Sequence, residues 1–466
     1  MTIKKLLLLP ALALISLNSF AQKCDCQTEF TYIKNFMEKN YAGFKDKKAQ
    51  MGDAAYKKMT DEYLAYSKKP NANETCLLVI SSYLDKFKDH HVSIGVKFDA
   101  MKTDSAVVKQ RQIIQLTDAK IEELRKSKTE EGIYIFRHDS SYRIAVYKDS
   151  TLLHDYVGVI IDSKLPGWKR GMLKFASKKN DEGNMKGILF VRNQLPKVEY
   201  FNFFVNNTRI GGDWVREGAT FQQEKYDAYV PVASRKLTDK TLYIKISNFG
   251  TSNYKNIDSV FKANDEALKA MPYLVLDLRG NGGGDDYSYS PILPYIYTNP
   301  IKTIGADVLS TAANIAGWKK ELEDPDMAEE TKNDIKGKIN NMEKNVGKFV
   351  TGNDDYTNSD MKVLSSPKKV VVLIDKGCAS TTEQFLFEAI QSKKVVLMGE
   401  HTSGTLDYSN VREAPFSCMP YILRYSTSRS RRLDVGQGID NIGIKPNKAL
   451  DAKEDWLKAA IAELEK

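Results

Sequence analysis

Histidine is scarce in this chain: His90, His91, His138, His154 and His401 are the only five among 466 residues. They form no cluster at zinc-ligand spacing and the five cysteines contain no C-x-x-C pair, so no metal site is expected. Beyond the first twenty residues no apolar run approaches the roughly 18–20 residues of a membrane-spanning helix, so stable membrane insertion is not expected. The chain has neither G-x-G-x-x-G ahead of a helix nor a glycine loop closed by Lys-Ser/Thr, which argues against a nucleotide site and leaves no cofactor to invoke. Basic residues outnumber acidic ones, 69 against 60, yet the surplus is scattered and forms no aromatic-interleaved stripe. Nucleic acid is therefore not an expected partner.

What is present begins with Lys4 and Lys5, an apolar run from Leu6 to Leu17 and the small-residue pattern Ser19-Phe20-Ala21. This reads as a secretory signal peptide over 1–21, with a mature chain starting near Gln22 in the periplasm or outside the cell. Gln22 and Lys23 ahead of Cys24 do not suit a lipid anchor. Export permits disulfides, and a bridge from Cys24 or Cys26 to Cys76 is expected to tie down the new amino terminus.

Texture changes twice along the chain. Residues 22–100 carry apolar positions at helical spacing, such as Phe30, Ile33, Phe36 and Met37, and form an N-terminal helical domain. Residues 101–235 predict a helix from Lys102 to Lys126 and then a middle antiparallel β module, with strands at 132–136, 142–147, 158–161, 187–191 and 198–205. Residues 236–466 read as an α/β core: a strand from Thr241 to Ile246, a helix from Tyr254 to Met271, and apolar runs at 273–278, 369–374 and 395–398 typical of strands buried on both faces. A charged, helical insertion near 312–350 is expected to lie over that core as a lid or arm.

Three features could carry chemistry. Asp277-Leu278-Arg279-Gly280-Asn281-Gly282-Gly283-Gly284-Asp285-Asp286 closes a strand, and its glycines let backbone N–H groups approach an anion or simply make a tight turn. Ala379-Ser380-Thr381-Thr382-Glu383 joins a strand to a helix; it suits a nucleophile beside an oxyanion hole, and equally a capping box. Asp89-His90-His91-Val92 offers an imidazole base.

Together with Gly399-Glu400-His401-Thr402-Ser403-Gly404 and Gly443-Ile444-Lys445-Pro446-Asn447, these motifs resemble the C-terminal processing peptidase family, which includes the tricorn core protease and the interphotoreceptor retinoid-binding protein repeats. The resemblance implies a ClpP/crotonase-like α/β core, a mixed sheet with helices. One branch of that family uses a Ser-Lys dyad, but Thr405 stands where its lysine would be. The Ser-His branch is the one approximated, with Ser380 as nucleophile and His91 as base, although His90 replaces a family glycine and either imidazole could face the site. By the same alignment Asp440 would be the acidic partner, Asn447 would replace a final aspartate, and the N–H groups of Thr381 and Gly283 would form the oxyanion hole.

The resemblance thus implies a secreted serine endopeptidase acting through an acyl-enzyme on peptides or unfolded proteins. The alternative is an inactive relative that binds peptides or apolar ligands in the same cleft. Arg424, Arg429, Arg431 and Arg432 could pair with a substrate carboxylate or form a solvated strand edge.

Overall fold

The computed structural model describes residues 24–101, 111–179, 185–201, 208–219, 230–325 and 327–466. The expected signal peptide lies outside them. Four helices come first: α1 (Cys26–Asn40), α2 (Phe44–Met51), α3 (Asp53–Ser67) and α4 (Ala72–Leu84). The Asp25 carboxylate caps α1 by accepting the Thr28 N–H, and Gly52, at a φ of 82°, turns the chain from α2 into α3. Phe30, Ile33 and Met37 share one face of α1 and are fully buried. Cys26 makes the expected bridge to Cys76. A second bridge, Cys24–Cys418, was not indicated by cysteine spacing and joins opposite ends of the chain, leaving Cys378 as a buried thiol.

A short strand β1 (Ser93–Val96) follows the histidine pair. Of the helix expected from Lys102 to Lys126, α5 (Asp118–Lys126) is present and residues 111–117 are not helical; 102–110 lie outside the described residues. Next come β2 (Gly132–Phe136), β3 (Tyr142–Lys148), β4 (Tyr156–Ser163), β5 (Leu173–Lys179), β6 (Met185–Phe190), β7 (Pro196–Phe201), β8 (Arg209–Ile210) and β9 (Trp214–Arg216). They form an eight-stranded antiparallel sheet in the order β7-β6-β5-β4-β3-β2-β9-β8. Residues 202–205 of the last expected strand lie outside the described residues. Apolar patterning gave no sign of β5, because its buried positions include Lys174 and Ser177.

The chain then builds β10 (Val232–Lys236), β11 (Thr241–Ile246), α6 (Tyr254–Ala263), α7 (Asp265–Ala270) and β12 (Tyr273–Asp277). The single helix expected over 254–271 is two, broken at Asn264, whose side chain takes the Val260 carbonyl at 2.8 Å. After α8 (Leu293–Ile296), β13 (Ile301–Thr303) and β14 (Ala306–Leu309) come the insertion helices α9 (Ala312–Glu321) and α10 (Glu329–Lys344), then β15 (Phe349–Asn353) and β16 (Tyr356–Asn358). The rest is β17 (Lys369–Ile374), α11 (Thr381–Ala389), β18 (Val395–Gly399), β19 (Tyr408–Pro415), β20 (Tyr421–Ser430), β21 (Lys448–Ala449) and α12 (Trp456–Leu464).

Two sheets of this half position the site. The first has the order β10-β11-β12-β17-β18-β21, parallel throughout except for the β10–β11 edge. Its strands are buried on both faces by strict alternation: Leu274, Leu276, Val370 and Val372 face one apolar cluster, whereas Val275, Val371 and Leu373 face another closed by α12. The second sheet runs β1-β20-β14-β15, with β19 also paired to β20. The insertion helices pack on this second sheet, through Ile315, Trp318, Ile339 and Met342 against Val308 and Val350, and Thr311 is bonded to Asn40 of α1. They do not form the expected lid over the α/β core. Their apolar stripe had to be buried, and β14 and β15 supply the matching face.

Candidate active site

Strand β17 ends at Ile374 and the chain turns through Asp375 to Ala379 before Ser380 opens α11. The turn is fixed from inside: Asp375 Oδ1 accepts the N–H groups of Gly280 and Gly377 at 2.8 and 2.9 Å, and Ala379 N donates to Asn281 O at 3.1 Å. The glycine turn after β12 and the serine turn after β17 are thereby held as one unit at the carboxyl edge of parallel strands. Ser380 adopts φ 56° and ψ −122°, a backbone state that is strained for a non-glycine residue. Glu383 holds it there. Its fully buried carboxylate accepts Ser380 N at 3.1 Å and Thr405 N at 2.8 Å on one oxygen, and Thr402 Oγ1 and Gly404 N, both at 2.6 Å, on the other. Ser380 is therefore the helix cap that the Ser-Thr-Thr-Glu string suggested, and its hydroxyl also stands 3.2 Å from His91 Nε2.

The structure brings His91, not His90, to the serine. His90 is exposed, with Ser403 Oγ at 3.4 Å from its Nδ1. His91 Nδ1 lies 2.6 Å from the main-chain oxygen of Tyr408. A carbonyl can only accept, so Nδ1 carries the proton and the Nε2 lone pair faces Ser380. The backbone behind the ring is fixed by Asp89, which accepts His91 N at 2.8 Å on one oxygen and Tyr41 Oη at 2.7 Å and Ser426 Oγ at 3.2 Å on the other. Burial, and then the Asp89 charge, push the Tyr41 phenol well above its usual range and keep it a donor.

Asp440 does not meet His91. Its carboxylate pairs with the buried Lys47, and the Nδ1 position it was expected to occupy is filled by the Tyr408 carbonyl. Burial raises its carboxyl above the usual range against the opposing pull of Lys47. Asn447 is also remote from the histidine and accepts Leu397 N at 2.8 Å.

The expected oxyanion donors fare differently. Thr381 N, at the start of α11, has no acceptor among the described residues and is aligned with the positive end of the helix. Gly283, at a φ of 96°, lies so close that a Cβ there would stand 3.0 Å from Ser380 Cβ and 2.8 Å from Thr381 N. Its N–H, however, is donated to Asn281 Oδ1 at 3.0 Å, so it is not a free donor as expected. Asp286 is exposed as a residue, yet desolvation of its carboxyl, opposed by a hydrogen bond with the Thr381 side chain, raises it to about 6.

The four arginines are engaged within the chain: Arg424 with Glu413, Arg429 with Asp46 and Asp434, Arg431 with Asp307 and Asp355, and Arg432 with Gln384 Oε1. Thr405, where the lysine of the other branch would stand, is bound through its N–H to Glu383. Glu383 was legible as the capping-box carboxylate, but its grip on the 402–405 loop was not, and the role of Asp89 had a signal only in its place beside the histidines. The Tyr408 carbonyl is a backbone group with no side-chain signature.

Residues 240–450 match the model of peptidase family S41. No curated protein matches the chain by sequence. Among solved structures, that of mature CPAF superposes with a TM-score of 0.53 at 12% identity, covering 95% of this chain and 96% of its own. Mature CPAF complexed with lactacystin gives 0.53 at 13% identity, covering 95% and 97%. At such identities the likeness shows a shared fold. The family match spans the glycine turn, Ser380, Glu383 and Asp440, and over that region the chain resembles peptidase family S41, the C-terminal processing peptidases, which indicates a serine-type peptidase.

Proposed function

We propose that this chain is an exported serine endopeptidase that cleaves peptides or unfolded proteins through an acyl-enzyme on Ser380, with His91 as general base. The observation that carries this reading is the 3.2 Å approach of His91 Nε2 to Ser380 Oγ with Nδ1 anchored on the Tyr408 carbonyl. His91 takes the hydroxyl proton as Oγ attacks the scissile carbonyl, and the Thr381 N–H receives the developing oxyanion. Gly283 joins it by exchanging Asn281 Oδ1 for the substrate oxygen. His91 then protonates the leaving amine, and water, deprotonated in turn by His91, releases the acyl group. Asp440 acts at one remove from the imidazole in this scheme.

The architecture is read as a ClpP/crotonase-like core over 236–466, with an N-terminal helical domain over 22–100 and a β-rich accessory module over 101–235. Two disulfides support an oxidising destination after removal of residues 1–21, periplasmic or extracellular. The test is labelling of the mature protein with a serine-reactive fluorophosphonate. Wild type is expected to label and Ser380→Ala not to. A folded wild type that stays unlabelled would turn the reading to the inactive, ligand-binding relative.

A further inference from the structure

Helix α2 reaches the surroundings of His91 at two points, through neighbouring residues. Asp46 accepts Tyr408 Oη at 3.0 Å and Arg429 Nε at 2.6 Å, and Tyr408 is the residue whose carbonyl holds His91 Nδ1. Lys47, with its side chain only 2% exposed, donates to the main-chain carbonyl of Lys88 at 3.1 Å and pairs with Asp440. Its ammonium also lies 5.3 Å from the centre of the Tyr408 ring.

Lys88 begins the turn that presents the base, and it sits in the left-handed region at a φ of 49°. That state is unfavourable for a side-chain-bearing residue, so the turn must be held by its surroundings. Two donors meet on the Lys88 carbonyl: Lys47 Nζ, and Asn441 Nδ2 at 2.7 Å. Asp440 and Asn441 thus act on the same turn from the motif that was expected to supply the acid, one through Lys47 and one directly. The Asp440 segment is itself fixed, because Asp407 Oδ2 accepts Ile439 N at 2.6 Å and Asp440 N at 2.8 Å.

We propose that Lys47 is a positioning residue for the base: its buried ammonium, tethered by Asp440, holds the Lys88–His91 turn so that His91 Nε2 stays on the Ser380 hydroxyl. Stability alone gives no reason to bury an ammonium here, because an apolar pair of similar volume commonly serves a fold as well. Its place on the carbonyl that starts the base-bearing turn does give one. The carboxylate that fails to reach the imidazole acts instead as the counter-ion of the cation behind it. This role rests on the Ser380–His91 reading.

The experiment is a cycle on the full oxidised protein, read by the fluorophosphonate constants kinact and KI. Lys47→Met combined with Asp440→Leu removes both charges and leaves no lone buried ion. It is expected to lower kinact about 10- to 100-fold, the scale of a small misplacement of a reacting group, with KI changed less than twofold. In a His91→Ala chain the same pair is expected to cost no more than twofold, because the imidazole it positions is gone. An unchanged kinact, or an equal loss in the His91→Ala chain, would overturn the role. If the paired variant does not fold by circular dichroism, Lys47→Gln is read in the same cycle against the same limits. Labelling that persists in Ser380→Ala would instead remove the nucleophile assignment, and the positioning role would fall with it.

Discussion

The Nδ1–H of His91 donates to the main-chain carbonyl of Tyr408 across 2.6 Å, joining residues 317 apart in sequence. For the proposed role of His91 as general base the contact fixes the needed tautomer, but it offers a dipole where a carboxylate would offer a full charge to the imidazolium that this mechanism requires. No side-chain substitution can remove this acceptor. The positions around it separate the roles of ring, backbone and phenol.

Tyr408→Phe deletes the hydroxyl that donates to Asp46 and leaves the carbonyl in place. We expect fluorophosphonate labelling within about threefold of wild type and a stability loss of about 1 kcal/mol in urea unfolding. By contrast, His91→Ala is expected to lower labelling at least 100-fold, on the scale of a lost general base. His90→Ala, at an exposed ring, should change it less than twofold. A large loss in Tyr408→Phe, or a reversal of the two histidines, would contradict the geometry.

The sequence made legible those parts of the site whose chemistry lies in side-chain type and spacing. Ser380 follows a strand and precedes an apolar-faced helix, and Glu383 sits where a capping carboxylate belongs; both could be read directly. The central strands announced themselves because both of their faces are buried. Strand β5 did not, since its buried Lys174 is satisfied by the Phe190 carbonyl and aromatic rings that only tertiary structure supplies. Alignment places the Asp440 carboxylate along the chain but cannot show that the Tyr408 backbone oxygen meets the imidazole directly while Asp440 pairs with Lys47. The Cys24–Cys418 bridge was hidden for a similar reason, as its partners are 394 residues apart.

Glu383→Gln tests how the strained nucleophile is held. The carboxylate accepts four hydrogen bonds with no exposure to water, and an amide would turn its NH2 against two of those donors. We expect a loss of about 2–4 kcal/mol in urea unfolding and a fall in kinact, since Ser380 N and the 402–405 loop lose their common acceptor. Wild-type stability together with wild-type labelling would show that Glu383 is not the clamp.

Lys174 makes the stability of the β module depend on pH. Burial, with a further push from Arg111, depresses its ammonium to about 7, against 10.5 for the free group, while the Tyr142 and Trp168 rings at 3.7 and 4.2 Å favour the charged form. Between pH 7 and 10.5 the unfolded chain binds more protons at this site than the folded one. Unfolding free energy therefore rises with pH there, by at most about 1.4 kcal/mol per unit from this group. Below pH 7 both states are protonated and the penalty of burying the charge is fully present. Lys174→Met is expected to be more stable than wild type by about 1–3 kcal/mol at pH 7, with the advantage shrinking toward pH 9.5. A difference that stays constant across that interval would rule out titration of Lys174 as its source.

The Cys24–Cys418 bridge is expected to stabilise the fold with little influence on chemistry. Cys418 lies in the turn joining β19 to β20, whereas Tyr408 begins β19. The seven steps from Tyr408 to Pro415 put about 24 Å of strand between the bridge and the carbonyl that holds His91. Near the bridge the turn is already gripped, because the buried Glu29 accepts the N–H groups of Ser417, Cys418 and Met419 at 2.7, 2.9 and 3.1 Å. Cys24→Ser combined with Cys418→Ser should lower unfolding free energy by roughly 2–4 kcal/mol, chiefly by freeing the unfolded chain. Labelling of Ser380 at 25 °C should stay within about threefold of wild type, because Glu29 keeps the turn in place. A variant of undiminished stability would mean that Glu29 alone secures the turn. Loss of labelling in a folded variant would mean that the hairpin transmits strain along its whole length to Tyr408.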